Sequence, residues 1–268
     1  MQRTGSQYKG DETVNIIGVI PARMASSRFP SKPLADIKGR AMIHHVYTRS
    51  KMSNLLNDLY IATPDQEIKD YCNKNNLKCV MTKETHERAS DRVAEAMLKI
   101  ENSSKKRTDI LVMIQGDEPL VYPEMINLAV RPLIRKREIM VSNLISPLKS
   151  KKEFEDPNKV KVVLGKDDFA LYFSREPIPS KKKGATRIPM LKQVCIIPFQ
   201  RDFLLKFNRM KQRPLEIAES VDMLRCLEHG YKVKMVFCDF STYSVDTMED
   251  LKKVTRLMEK DKLFKAYR

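Results

Sequence analysis

The chain has 268 residues, 42% of them hydrophobic, enough to bury the core of one large α/β domain or two small ones. No stretch approaches the roughly 20 apolar residues that span a bilayer, and the start MQRTGSQYKGDET lacks the apolar centre of a signal peptide, so a cytoplasmic protein is expected. A net charge of +16 raises nucleic acid as a partner, but the cations are scattered and form no aromatic-interleaved stripe, which favours a solvated basic surface.

The five cysteines are widely spaced with no C-x-x-C pair, which suggests reduced, mostly buried thiols rather than a zinc site or a disulfide framework. The first thirteen residues are polar and are expected to be disordered. From 14 to 20 an apolar, β-branched run has the length of one buried strand. It breaks at Pro21 into a loop carrying Arg23, Arg28 and Lys32, three cations where an open α/β sheet binds ligands, stiffened by Pro21, Pro30 and Pro33. The loop reads either as an anion site or as a solvated basic turn.

The spacing of Met42, Ile43, Val46 and Tyr47 predicts a helix within 36–53, followed by a strand at 58–63, a polar helix at 64–76 and a strand at 78–81. This alternation implies a mostly parallel twisted sheet with helices on both faces. A helix over 85–100 has Ser90 and Asp91 as cap candidates. The apolar strand 109–114 ends in Gln115-Gly116-Asp117-Glu118-Pro119, where Asp117 is either a metal ligand or a carboxylate satisfied by loop amides. Next come a helix at 123–137, a strand at 140–145, a hairpin at 160–164 and 170–174, a lysine-bearing flap at 177–189 and a strand at 192–198. A helix over 214–230, a strand over 232–238 and a helix over 248–260 close the chain. One domain over 14–268 with an antiparallel excursion at about 157–200 is the simplest division.

Blocks spread over most of the chain carry a family resemblance: IPARMASSRFPSKPLADIKGRAMIHHV, IATPDQEI, MTKETHERASDRVAEA, QGDEPLV, DPNKVKVVLGKDDFALYFSREPIP, RPLEIAESVDMLRCLEHG and VDTMEDLKKV. In their order and spacing they resemble the CMP-sugar synthetases, and among these the 3-deoxy-manno-octulosonate (Kdo) cytidylyltransferases that activate Kdo for lipopolysaccharide. The resemblance implies a nucleotide-diphospho-sugar transferase fold, a homodimer, and Mg²⁺-dependent transfer of CMP from CTP to a 2-keto-3-deoxy sugar acid, releasing pyrophosphate. It assigns the nucleotide to Pro21, Ala22, Arg23, Arg28 and Lys32, together with Ser90, Asp91, Arg92 and Gln115. Arg23, Lys32 and Asp117 would carry catalysis, and Asp117 and Asp246 would hold the metal. Asp246 reads equally as the N-cap of the last helix, and Asp91 and Arg92 as a cap and a surface charge.

The sugar side departs from the family. Gln193 stands where the family commonly has His, Ile197 where it has Tyr, and Asp222-Met223 where it has Glu-Gln. With Gln115, these positions are the expected sugar contacts. Their change suggests a Kdo variant, a nonulosonate, or another acid such as a phosphonate, unless Ile197 and Met223 are ordinary core residues. The alternative from another class is a basic nucleic-acid-binding protein.

Overall fold

A computed structural model of the chain describes residues 14–25, 29–180, 182–184 and 189–268. The segment 1–13, expected to be disordered, lies outside them, as do 181 and 185–188 of the lysine-bearing flap. In chain order the first half comprises β1 (Ile16–Pro21), β2 (Asp36–Ile37), β3 (Arg40–Ala41), α1 (Met42–Lys51), β4 (Asp58–Thr63), α2 (Gln66–Lys74), β5 (Cys79–Met81), α3 (Ala89–Ser104), β6 (Ile110–Ile114) and α4 (Pro123–Arg135). The second half adds β7 (Ser142–Pro147), α5 (Lys151–Glu155), β8 (Lys161–Leu164), β9 (Ala170–Ser174), β10 (Leu191–Val194), β11 (Ile196–Gln200), α6 (Arg201–Arg209), α7 (Pro214–Glu219), α8 (Met223–Glu228), β12 (Lys234–Phe237), α9 (Met248–Lys260) and α10 (Lys262–Tyr267).

β1 is apolar because it is central: it pairs in parallel with β4 on one side and β6 on the other. The first sheet runs β11-β6-β1-β4-β5, parallel except for β11, which lies antiparallel to β6. This is the expected α/β layer. The antiparallel part is larger than the predicted excursion, because β7 and β12 join β8, β9 and β10 in a second sheet of order β12-β7-β10-β8-β9. β7 and β12 pair in parallel there, and the other three pairings are antiparallel.

Three predicted elements are divided. The stretch before α1 turns back as the β2–β3 hairpin, with Lys38 and Gly39 both at positive φ, before Met42, Ile43, Val46 and Tyr47 are buried as their spacing requires. The strand expected over 192–198 is interrupted at Cys195, with β10 in the second sheet and β11 in the first. Buried Asn143 spans this crossing, its Nδ2 donating to the carbonyls of Val194 (2.5 Å) and Ile196 (3.3 Å). The helix over 214–230 is broken at Ser220, whose left-handed backbone ends α7 and lets α8 fold back on it. Buried Arg225 ties the pair by donating from Nε to Glu216 Oε2 at 2.7 Å, with its guanidinium 4.5 Å from the Phe207 ring centroid.

His45, fully buried under α10, has Nε2 2.8 Å from the Ile37 carbonyl and Nδ1 3.0 Å from the Tyr267 hydroxyl, an arrangement that suits the neutral Nε2–H tautomer. Burial pushes its pKa down from 6.5 to about 4. The unfolded chain therefore takes up this proton below pH 6.5, while the folded chain takes it up only near pH 4. Stability is full above that window and is lost as pH falls through it, by about 3 kcal/mol in all. Urea unfolding of wild type and His45→Gln at pH 7 and pH 4.5 should show the smaller acid loss in the variant. Equal losses would remove His45 as the cause.

Candidate active site

The C-terminal ends of β1 and β6 open on a cavity of about 760 Å³ lined by Pro21, Ala22, Arg23, Lys32, Arg92, Gln115 and Asp117. The basic loop is tied to the sheet where Met24 N donates to Asp65 Oδ2 at 2.8 Å, just before α2. Arg23 is exposed to the cavity, and Arg28 lies outside the described residues. Arg92 lines the cavity while braced from behind, Nη1 donating to Thr82 Oγ1 (2.6 Å) and the Lys83 carbonyl (3.1 Å), and Nη2 to the His86 carbonyl (3.2 Å). Burial, then the nearby Arg23 charge, disfavour its cationic form, and an anion in the cavity would relieve both. Gly116 keeps the β6 loop close to β1, since a Cβ there would stand 3.2 Å from the Pro21 carbonyl.

Lys32, Asp117 and Asp246 meet at the cavity's edge. Lys32 Nζ lies 3.0 Å from Asp117 Oδ2 and 3.6 Å from Asp246 Oδ1, and it also donates to the Val245 carbonyl at 2.9 Å. The backbone joins the two acidic loops directly, with Val245 N donating to the Asp117 carbonyl at 2.9 Å. Asp246 is not the N-cap of α9. That position belongs to Thr247, which exchanges capping bonds with Asp250 and leaves the Asp246 carboxylate turned toward Lys32.

A second cavity of about 260 Å³ shares Gln115 and Asp117 with the first. Glu118, Lys159, Lys192, Gln193, Ser244 and Asp246 complete its polar wall. Burial, reinforced by the neighbouring Asp117 charge, pushes the Glu118 carboxyl up to about 7. Gln193 belongs to this wall, held by donation of its Nε2 to Asn143 Oδ1 at 2.5 Å.

Other expected contacts are corrected. Ile197 sits opposite Met113 in the β11–β6 pair and is 3% exposed, and Met223 on α8 is fully buried; both pack in the apolar core and line neither cavity. Asp222 also lines neither, and burial raises its carboxyl pKa. Ser90 is fully buried inside α3, and Asp91 accepts from Arg88 Nε at 3.1 Å; neither reaches the first cavity. One turn earlier, His86 and Arg88 do line it, as do Lys159 and Lys192 the second, and these four were not singled out from sequence. The THERASDR block signalled the first two. The lysines stood out less, because a Lys in a turn, as at 159, or in a strand, as at 192, ordinarily reads as a solvent-facing position.

Residues 17–237 match a family model described as cytidylyltransferase. The chain belongs to that family. The enzyme is 38% identical over 257 residues to a 3-deoxy-manno-octulosonate cytidylyltransferase of Geobacter metallireducens, covering 92% of this chain and 99% of that protein. It is 39% identical over 244 residues to the protein of the same name from Solibacter usitatus, covering 91% and 94%. Among solved structures it resembles a CMP:2-keto-3-deoxy-manno-octonic acid synthetase complexed with CTP, with a TM-score of 0.85, 34% identity, and coverage of 92% and 99%. Among the described residues no helix is long and apolar enough to cross a membrane.

Proposed function

We propose that this cytidylyltransferase activates Kdo or a closely similar 2-keto-3-deoxy sugar acid in the cytoplasm, forming the CMP-sugar and pyrophosphate from CTP for lipopolysaccharide assembly. The observation that carries the reading is the pair of cavities meeting at Gln115 and Asp117, one lined by cations at the strand ends and one walled by polar groups. The relatives' names support the choice of acid. A distant acceptor is disfavoured, because Ile197 and Met223 lie in the core and Gln193 is the one departing position that lines the second cavity.

In this reading Arg23 and Arg92 neutralise the triphosphate, a group carrying close to four negative charges, and the Pro21–Ala22 turn lies beneath it. The acceptor's anomeric hydroxyl oxygen attacks the α-phosphorus in line, the bond to the pyrophosphate oxygen breaks, and the hydroxyl proton passes to solvent or a nearby base. Asp117 and Asp246 fit a divalent cation, since two hard carboxylate oxygens already converge on one ammonium. Among the described residues no cluster of three or more His, Cys, Asp or Glu is present, so the remaining positions would fall to water and phosphate oxygens. Mg²⁺ held there would supply charge neutralisation and a lowered pKa for the attacking hydroxyl. Lys32 spaces the two carboxylates before substrates arrive, and its ammonium then serves the phosphates. A second copy of the chain is the proposed partner, docking on the sheet edge where Leu171 of β9 and Ile217 of α7 are each 63% exposed.

Pyrophosphate release from CTP and Mg²⁺ with a panel of acids tests the reading. Release should be strong with Kdo or its deoxy and amino variants and weak with nonulosonates and phosphonates. No release with any of them would defeat it.

A further inference from the structure

We propose that Lys192 holds the carboxylate of the acceptor and thereby selects acids over neutral sugars, an inference that rests on the function proposed above. Lys192 lies on β10 in the wall of the second cavity and is only 8% exposed. Among the described residues its ammonium makes no hydrogen bond and no ion pair, while its strand neighbour Lys161 donates to the carbonyls of Asp156 and Arg175. A largely buried lysine whose ammonium faces a cavity with no bonded partner is well placed to take an anionic ligand there. The charges facing it are Glu118 and Glu153 on one side and Lys159 and Lys149 on the other. The two other lysines are already engaged, Lys159 with Ser244 Oγ at 3.2 Å and Lys149 with Ser241 Oγ at 2.9 Å.

Acceptor chemistry supplies an anion at this place. In a 2-keto acid the carboxylate is bonded to the carbon that carries the reacting hydroxyl, so it must lie in the cavity that contains Asp117 and Asp246. Lys192 borders that cavity and also a small recess behind it that contains Ser146. Ser146 is paired with Lys192 across β7 and β10, and its buried Oγ has no partner among the described residues. Burial, then the Lys159 charge, lowers the Lys192 pKa, and a bound carboxylate reverses that pressure.

The test compares wild type, Lys192→Met and Lys192→Arg on Kdo and on its carboxamide, with CTP and Mg²⁺, following pyrophosphate. Wild type should prefer the acid by roughly 100-fold in kcat/KM. Lys192→Met should lose most of that preference through a raised KM for the acid, with little change for the carboxamide and an unchanged KM for CTP, and Lys192→Arg should recover part of it. Thermal melting is the folding control: removing an ammonium that faces the cavity should leave the midpoint near that of wild type, and Lys192→Gln replaces Lys192→Met if the latter does not fold. A variant that keeps the wild-type preference for the acid overturns the assignment, as does a wild type that accepts the carboxamide equally. A wild type inactive with every 2-keto-3-deoxy acid instead defeats the function on which the assignment rests.

Discussion

Asp117→Asn is expected to lower kcat/KM by roughly a thousandfold, corresponding to several kcal/mol of transition-state stabilisation, with the fold intact. Asp117 is placed where the two cavities meet, and the backbone bond from Val245 N fixes its loop against the one carrying Asp246. The amide keeps the shape and the loop but withdraws the negative charge that, with Asp246, receives a cation. The Asp117 side chain is 29% exposed and its contact with Lys32 is a partly solvated pair, so melting should shift by little. The comparison is kinetic, at saturating Mg²⁺, with circular dichroism as the folding control. Turnover within tenfold of wild type would remove Asp117 from the reaction.

The largest effect on stability is expected at Arg225. Arg225→Leu leaves the Glu216 carboxylate, 2% exposed, without its guanidinium in the fold between α7 and α8. Breaking a buried pair from one side costs about 3–5 kcal/mol, because the remaining charge must be desolvated with only Gln212, at 3.2 Å, and the more distant Arg88, at 3.9 Å, to meet it. For a chain of this size that lowers the melting temperature by roughly 10 °C. Replacing both partners, as Arg225→Leu with Glu216→Leu, should restore part of the loss, since the unpaired charge is then gone. A double variant as unstable as the single one would show that packing against Phe207, not charge, is what Arg225 supplies.

The contrast between these two residues explains which parts of the molecule were legible. β1, β4 and β6 could be read because central parallel strands are apolar throughout, and the helices of the first sheet because one face of each is buried. Lys32 and Asp117 could be named because cations and carboxylates beside apolar strand ends have few structural uses, whereas Asp246, which reads equally as a helix cap, was named through the family resemblance. Met223 could not be separated from the sugar contacts in the same way, because position in a family block says nothing of the direction in which a side chain points. Ile197 shows the same limit: both faces of β11 are buried, with Ile196 in one core cluster and Ile197 in another, so alternation along the strand cannot mark a ligand-facing residue. The breaks at Cys195 and Ser220 left no mark, since neither is a glycine or proline, the apolar run continues through Cys195, and helix-compatible residues flank Ser220. Lys192 was invisible for the opposite reason, a residue type whose usual place in a strand is solvent.

The crossing at Cys195 has a consequence for how such an enzyme diversifies. The nucleotide loops hang from the first sheet and part of the acceptor wall from β10, and one residue separates β10 from β11 of the first sheet. Asn143 fastens that step from the side, holding the carbonyls on either flank. Changes along the four residues of β10 therefore alter the floor under the acid without shifting the register of β11 against β6. A lineage moving from one sugar acid to another can do so by point substitutions on a short strand, inheriting the nucleotide machinery whole.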